Sequence, residues 1–409
     1  MAGRVRAEPR RSRVRTVEEH LAAVLEVVRP LTELDLTLLD AQGCVLAEDV
    51  VAQIAVPPQD NAVIDGYAVR MDDVAAAGPG TPVTLPVVGD VGSGSTSAYS
   101  VQSGFTVRLA AGAPVPAGAE AVIPVGWTDG GLAHVRIDRA PRPGESIRRT
   151  GEDIAAGEVV LAAGAHLGSQ QMAVLATVGR SRVRARPRPR VVILAVGGDP
   201  EHDTSTAALT AAALEAGAMA YRVGVVPDDQ QALITLIEDQ LIRADVVVIC
   251  GGGADIAQGS LRQALGRLGS VVVDRVAMQP GGVQGFGTVG PDSTPIFTLP
   301  GDPVSAYVSF EVFVRPAIRR MIGVETIHRP VVRAATQAAL RGVAGERWYV
   351  PSRLDVRQGA YVLTPLGTVG RDHVSALAKA NSLAVVPEDS GEVARGGAVT
   401  VVVLERRHG

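Results

Sequence analysis

The stretch Asp245-Val-Val-Val-Ile-Cys-Gly-Gly-Gly253 decides the fold. It is an apolar run of strand length that ends in three glycines, and a helical pattern follows it through Leu261, Leu265 and Leu268. A strand with no polar alternation is buried on both faces, as happens when helices cover both sides of a parallel sheet. The glycines fall where the strand hands over to the helix, a corner at which free backbone N–H groups and a helix N-terminus favour an anion.

The flanking units repeat the pattern. Val191 to Val196 reads as a strand ending at Gly197-Gly198-Asp199, and Ser205 to Ala218 as an Ala/Leu-rich helix stopped by glycine. Tyr221 to Val226 is the next strand, after which Asp228 and Asp229 lead into a helix through Leu233, Leu236 and Leu241. Val271 to Met278, Val283 to Val289 and Pro295 to Leu299 are further strands; the last ends at Pro300-Gly-Asp-Pro303, and an amphipathic helix runs from Val304 to about Met321. Strand and helix patterns alternating at this spacing predict a doubly wound α/β sheet whose ligand lies beyond the carboxyl ends of the strands. Gly197 to Pro200, Gly251 to Gly253, Gln279 to Gly282 and Pro300 to Pro303 all fall at such ends.

A chain of 409 residues should hold two to four domains, each large enough to bury a core. With 46% apolar but only 3% aromatic residues, its cores must be built from Val, Leu and Ala, and a net charge of −4 argues against general nucleic-acid binding. Cys44 and Cys250 are too few for a disulfide scaffold and sit in apolar surroundings, which fits reduced packing residues. No apolar run approaches the roughly 20 residues of a membrane span and the N-terminus has no signal-peptide core, so a cytoplasmic protein is expected. His20, His166 and His202 show no metal-ligand spacing. Gly251 to Gly253 lacks the G-x-G-x-x-G spacing of a dinucleotide site, which speaks against a dehydrogenase.

Residues 1–15 carry Arg4, Arg6, Arg10, Arg11, Arg13 and Arg15 against one glutamate, a composition that suits either a solvated, disordered tail or an arm for an acidic partner or membrane surface. Thr16-Val-Glu-Glu19 has the spacing of a capping box and predicts a helix from Val17 to about Val28. Residues 44–151 form a β-rich stretch of short Val-rich runs and Gly/Pro/Asp turns. A helix is expected from about Ser169 to Val178, then a stiff basic connector over Arg182 to Arg190. Strand-like runs such as Val399 to Leu404 predict a small C-terminal β domain.

Four motifs, in order, resemble the molybdopterin molybdenumtransferase family, which includes bacterial MoeA and the E domain of gephyrin. They are Asp60-Asn61 with Asp65-Gly-Tyr-Ala68, Gly112-Ala-Pro-Val-Pro116, Arg148-Arg149 with Gly151-Glu-Asp-Ile154, and Leu299-Pro-Gly-Asp-Pro-Val-Ser305. The resemblance spans nearly the whole chain from Thr16 and implies an elongated N-terminal domain split over 16–43 and 152–187. It further implies an inserted β-rich domain (44–151), a central molybdopterin-binding α/β domain (188–325) and a C-terminal β barrel (326–409). It also implies a homodimer, and a magnesium-dependent reaction that inserts molybdate into adenylated molybdopterin and releases AMP.

Carried over residue by residue, the resemblance makes Asp65, Asp153 and Asp199 catalytic candidates and assigns the metal to Asp199 and Asp229. It gives substrate contacts to Gly251, Gly252, Gly253, Asp228, Pro300, Gly301, Pro303, Arg148 and Arg149. Several positions depart from the family pattern. Asp199 stands where the family has glutamate and Gly259 where it has the metal-facing aspartate; Gln279 and Gly282 replace two lysines. Ala111, Pro351 and Arg371 replace threonine, arginine and serine. Two readings follow: a diverged molybdenumtransferase, or a non-catalytic, gephyrin-like dimeric scaffold that binds a partner protein's peptide, with a role in cell division by analogy.

Overall fold

A computed structural model describes residues 14–94, 99–197, 203–251, 259–366 and 373–404. The chain divides into two compact units, one of residues 1–34, 43–45 and 186–409 and the other of 35–42 and 46–185.

The first unit holds a six-stranded sheet in the spatial order Met219–Val226, Arg190–Val196, Val246–Gly251, Thr294–Leu299, Val283–Val289 and Gly269–Arg275. The first four strands are parallel, and Val283–Val289 runs antiparallel to both its neighbours. Alternation along the strands decides what each face meets. Val191, Ile193, Ala195, Val246, Val248 and Cys250 face the helix Thr204–Glu215 and the long helical segment from Pro303 to Ile322. Val192, Leu194, Val196, Val247 and Ile249 face the helices Gln230–Leu241 and Ser260–Leu268. Helices on both faces leave nowhere for a polar position in the central strands, which is why the sequence there is apolar throughout.

The helix Val17–Val27 packs on the first face through Val17 and Val24. Both capping-box bonds form: Thr16 Oγ1 accepts from Glu19 N (3.1 Å) and Glu19 Oε2 accepts from Thr16 N (3.0 Å). The C-terminal segment is a closed five-stranded barrel of Arg347–Arg357, Ala360–Pro365, Val331–Thr336, Ala398–Val403 and Ser382–Val386, the last pairing back onto the first. Closure removes the exposed edges that an open sheet would leave.

Three elements differ from the sequence reading. The strand expected over Val271 to Met278 ends at Arg275, and Met278–Gln279 instead pairs in parallel with Arg347–Trp348 of the barrel. The helix after Gly251 begins only at Ser260, so Gly251 does not open that helix as the glycine corner suggested. The segment Arg182 to Arg190 is not a connector: Arg182–Arg186 is the middle strand of a three-stranded sheet, with Val183 and Ala185 buried between exposed arginines.

The second unit is built on a five-stranded sheet in the order Ala121–Pro124, Gly66–Val69, Thr106–Leu109, Val83–Val91 and His134–Ile137. Tyr67, Val69, Ala121 and Ile123 pack on one face, Ala68, Val107, Leu109 and Val122 on the other.

Candidate functional site

In the central sheet the chain turns outward from Arg190–Val196 to Met219–Val226, then returns on the other side as Val246–Gly251. The carboxyl ends of Arg190–Val196 and Val246–Gly251 therefore form a topological switch point, the place where open α/β sheets bind their ligands. Val196 and Gly251 are register partners there. Gly251 has φ +103°, and a Cβ on it would lie 2.4 Å from the Val196 carbonyl oxygen, so no other residue fits. The Pro300–Pro303 loop lies over this point: a Cβ on Gly301 would come within 3.1 Å of Gly251 Cα. Two bare backbone segments are thus laid against each other at the mouth of the sheet.

Helix starts hold the loop in place. Ser205, in the first turn of Thr204–Glu215, donates its hydroxyl to Gly301 O at 3.0 Å. Asp302 accepts from Val304 N (3.1 Å) and Ser305 N (3.2 Å), capping the helix whose first residue is Pro303. Asp203 caps the helix Thr204–Glu215 by accepting from Thr206 N at 3.1 Å, and it also accepts from the Thr206 hydroxyl. Arg222 closes the network, donating Nη2 to Asp203 (2.9 Å) and Nε to Thr206 Oγ1 (2.7 Å). Burial works against the Asp203 carboxylate, but the bonds from Thr206 and Arg222 outweigh it and hold its pKa below the usual range. Arg222 was not among the residues expected at the site. Asp203-Thr-Ser-Thr206 carries the N-cap signal, but its cation lies 19 positions along the chain.

Beside this edge, residues 276–282 form a loop closed by Val276 N donating to Gly282 O (2.7 Å). Gly281 lies so near the helix Pro303–Ser309 that a Cβ would reach within 2.5 Å of Ser309 Oγ. The buried Gln284 amide donates to both Gly281 O and Ser309 Oγ. Gln279 and Gly282, the positions without their lysines, therefore stand on a loop fixed at the carboxyl edge of the sheet.

Asp228 and Asp229 are exposed after the edge strand Met219–Val226, and Asp229 Oδ1 accepts from Ala232 N (2.9 Å) as an N-cap. Asp199, Gly252 and Gly253 lie outside the described residues. Among the described residues no group of three or more His, Cys, Asp or Glu is gathered to hold a metal ion. With Asp229 capping a helix and Gly259 offering no donor, the described residues do not fit a magnesium cage.

The remaining candidates gather in the second unit. Asn61–Ala62 pairs with Ile147–Arg148, which brings Asp60 against Arg149 and Thr150. Asp60 accepts from Thr150 N (2.8 Å), Thr150 Oγ1 (3.0 Å) and Arg149 Nη1 (2.6 Å). The Thr150 backbone bond, then Arg149, hold its pKa below the usual carboxylate range. Arg148 pairs with Asp153 at 3.1 Å, both partly exposed. Asp65 is exposed, and its Oδ1 accepts from Ala111 N (2.7 Å), tying two loops together. The sequence reading had quoted Asp60 in a motif without giving it a role, and had not singled out Thr150.

Comparison with known proteins covers the chain almost end to end. Residues 15–179 match the MoeA N-terminal region (domain I and II), 157–320 the probable molybdopterin binding domain and 333–404 the MoeA C-terminal region (domain IV). The chain belongs to the MoeA family. It is 40% identical to molybdopterin molybdenumtransferase 1 of Mycobacterium tuberculosis over 97% of this chain and 100% of that protein. Molybdopterin molybdenumtransferase 2 of the same organism is 38% identical over 94% and 98% of the two chains. A crystal structure of the molybdopterin biosynthesis MoeA protein from Pyrococcus horikoshii superposes with a TM-score of 0.79 at 28% identity, covering 97% of this chain and 100% of that one. For this MoeA-family chain, the multidomain α/β fold with a C-terminal barrel is as expected. Among the described residues no helix is long and apolar enough to cross a membrane.

Proposed function

We propose that this protein inserts molybdate into adenylated molybdopterin with release of AMP. The observation that carries the reading is the switch point itself, where the Pro300–Pro303 loop is packed over the carboxyl ends of Arg190–Val196 and Val246–Gly251. Open α/β sheets bind their ligands at that place. The end-to-end match to molybdenumtransferases supplies the chemistry that such a site would serve. In this reading Gly251, Gly301 and the Pro300–Pro303 loop position the diphosphate-linked substrate and the oxyanion. Asp302 and Ser205 fix the loop, and rigid donors already in place cost no reorganisation during reaction. Gly252, Gly253 and Asp228 belong to the same edge in the reading.

Asp65 and the ion pairs Arg148–Asp153 and Arg149–Asp60 are a second set of charged groups assigned to the reaction, with Asp60 orienting Arg149. A homodimer and a cytoplasmic location also belong to the proposal. Val51 and Val159, register partners in an antiparallel strand pair and 37% and 51% exposed, lie on a surface that a second copy would cover.

The test is AMP release from purified protein given adenylated molybdopterin, molybdate and magnesium, against a control lacking protein. Release that is lowered by Asp228→Ala, at an exposed position of the same edge whose truncation leaves the packing intact, supports the reading. Absence of release from the folded, unaltered chain overturns it.

A further inference from the structure

The first turn of the helix Thr204–Glu215 is pinned by more bonds than a helix start needs. One side-chain acceptor at the N-cap suffices, and Asp203 provides it by accepting from Thr206 N at 3.1 Å. Asp203 nonetheless also accepts from the Thr206 hydroxyl and from Arg222 Nη2, the latter at 2.9 Å. Thr206 Oγ1 in turn accepts from Arg222 Nε at 2.7 Å, so the side chains form a closed triangle. Thr206 is fully buried and the Asp203 side chain is 3% exposed, which shields these bonds from exchange with water, while the Arg222 side chain is 47% exposed.

The strand that carries Arg222 is shaped to let it reach the helix. Ala220 packs on the face of the sheet that meets Thr204–Glu215, whereas Tyr221 and Val223 pack on the opposite face. Alternation therefore directs Arg222 toward the helix. The register with Arg190–Val196 then slips, because Ile193 pairs with Arg222 but Leu194 pairs with Gly224. The slip leaves Gly224, at φ +93°, next to Arg222 on the way to the carboxyl end, and a Cβ on it would meet no atom of the described residues within 4 Å. Bulges on edge strands beside a functional edge re-aim a side chain in this way.

Between Asp203 and Thr206 stands Ser205, whose hydroxyl donates to Gly301 O at 3.0 Å. Gly301 lies so close to the strand end that a Cβ on it would come within 3.1 Å of Gly251 Cα. A shift of the first helical turn is thus passed through one hydrogen bond to the Pro300–Pro303 loop.

Resting on the reading of the reaction given above, we propose that Arg222 is a positioning residue for it. Through Asp203 and Thr206 it fixes the turn whose Ser205 holds the Pro300–Pro303 loop over the switch point. Groups that bind a reacting molecule keep their geometry only when a second layer of bonds locks them. A displacement of about 1 Å costs a reaction up to about a hundredfold, so a loosened loop shows first in kcat.

The experiment compares the full chain with Arg222→Gln, Ser205→Ala and the double variant. Hydrogen exchange is followed in the peptide 299–308, which holds the Val304 and Ser305 amides bonded to Asp302, and AMP release from adenylated molybdopterin is resolved into kcat and KM. The variants should keep their melting transition, because the substituted arginine is half exposed on an edge strand. In Arg222→Gln we expect exchange at 299–308 to quicken about tenfold and kcat to fall about tenfold, with KM changed by no more than about twofold. Exchange in the helix Gln230–Leu241, on the other face of the sheet, should not change. Because both substitutions act on one linkage, the double variant should be no worse than the poorer single variant. Unchanged exchange at 299–308 in Arg222→Gln overturns the inference, whether or not AMP is released. Faster exchange with an unaltered kcat also overturns it, as do effects of the two single substitutions that add. Absence of AMP release from the full chain overturns the proposed reaction instead, and the exchange data then decide the role of Arg222 by themselves.

Discussion

Replacing Gln279 and Gly282 with lysine probes the loop most directly. Gly282 has no positive φ to defend, and a Cβ there would sit 3.2 Å from Met278 O and 3.8 Å from Gln279 Nε2. The backbone therefore accepts a side chain after a shift of a few tenths of an ångström, and the two new ammonium groups would be close neighbours. A hydrogen bond to a charged group contributes about 1.5 to 3 kcal/mol, so Gln279→Lys alone should tighten adenylated molybdopterin binding by about tenfold or more. Two unit charges about 5 Å apart repel by about 1 to 3 kcal/mol at this half-exposed position. The double variant should accordingly lose stability without ligand and regain it when an anion lies between the lysines. We expect an affinity gain near a hundredfold, less than additive to the extent that the ammonium groups meet the same phosphate. Calorimetric titration at low salt reads the gain, and melting temperature with and without ligand reads the coupling. A folded double variant with unchanged affinity would refute the placement of this loop beside the phosphates.

Three further outcomes concern stability and reactivity. Burial first, then the nearby Arg15, lower the His20 pKa from 6.5 to about 4. The unfolded chain therefore takes up a proton that the folded one refuses, and up to about 3 kcal/mol of stability is present above pH 6.5 and lost as the pH falls toward 4. Urea midpoints should drop over that window in the parent and drop less in His20→Leu. Arg329 donates Nε and Nη2 to the buried Glu311, each at 2.9 Å, and Nη1 to Leu404 O at 2.6 Å, joining the central domain to the last barrel strand. Arg329→Ala leaves the buried Glu311 carboxylate with Tyr307 and with Arg315 at 3.8 Å, and should cost about 3 kcal/mol in denaturant unfolding. Burial, with Asp203 adding to it, pushes the Cys250 thiol up to about 12, and Cys44 is buried as well. Neither should react with a thiol reagent at mildly alkaline pH until denaturant is added.

The central domain was legible because its signals are local. Val191 to Val196 and Val246 to Cys250 are apolar at every position, which only a strand covered on both faces requires, and a glycine follows each. The capping box at Thr16 and Glu19 and the caps at Asp229 and Asp302 were written in the residues themselves. Arg182 to Arg186 shows how composition can hide a pattern: its charge suggested a connector, yet Arg-Val-Arg-Ala-Arg has the period of two that a half-buried strand needs. The alternation was the better guide.

What the sequence could not reveal was pairing over distance. Met278–Gln279 looks like the end of a sheet strand until Arg347–Trp348 draws it onto the barrel, and no residue near 278 announces a partner almost seventy positions later. The same holds for Asp203, whose roles as cap and as partner of Arg222 need the helix and the edge strand to be side by side. It holds most of all for Arg15, which in the sequence is the last arginine of a polar tail. In the structure it is fixed to Val276, one residue beyond the strand Gly269–Arg275 and bonded through Val276 to Gly282. An arginine among the first fifteen residues and the end of a strand near position 275 are unrelated facts in one dimension, and the bridge from Arg15 to Val276 brings them to one place.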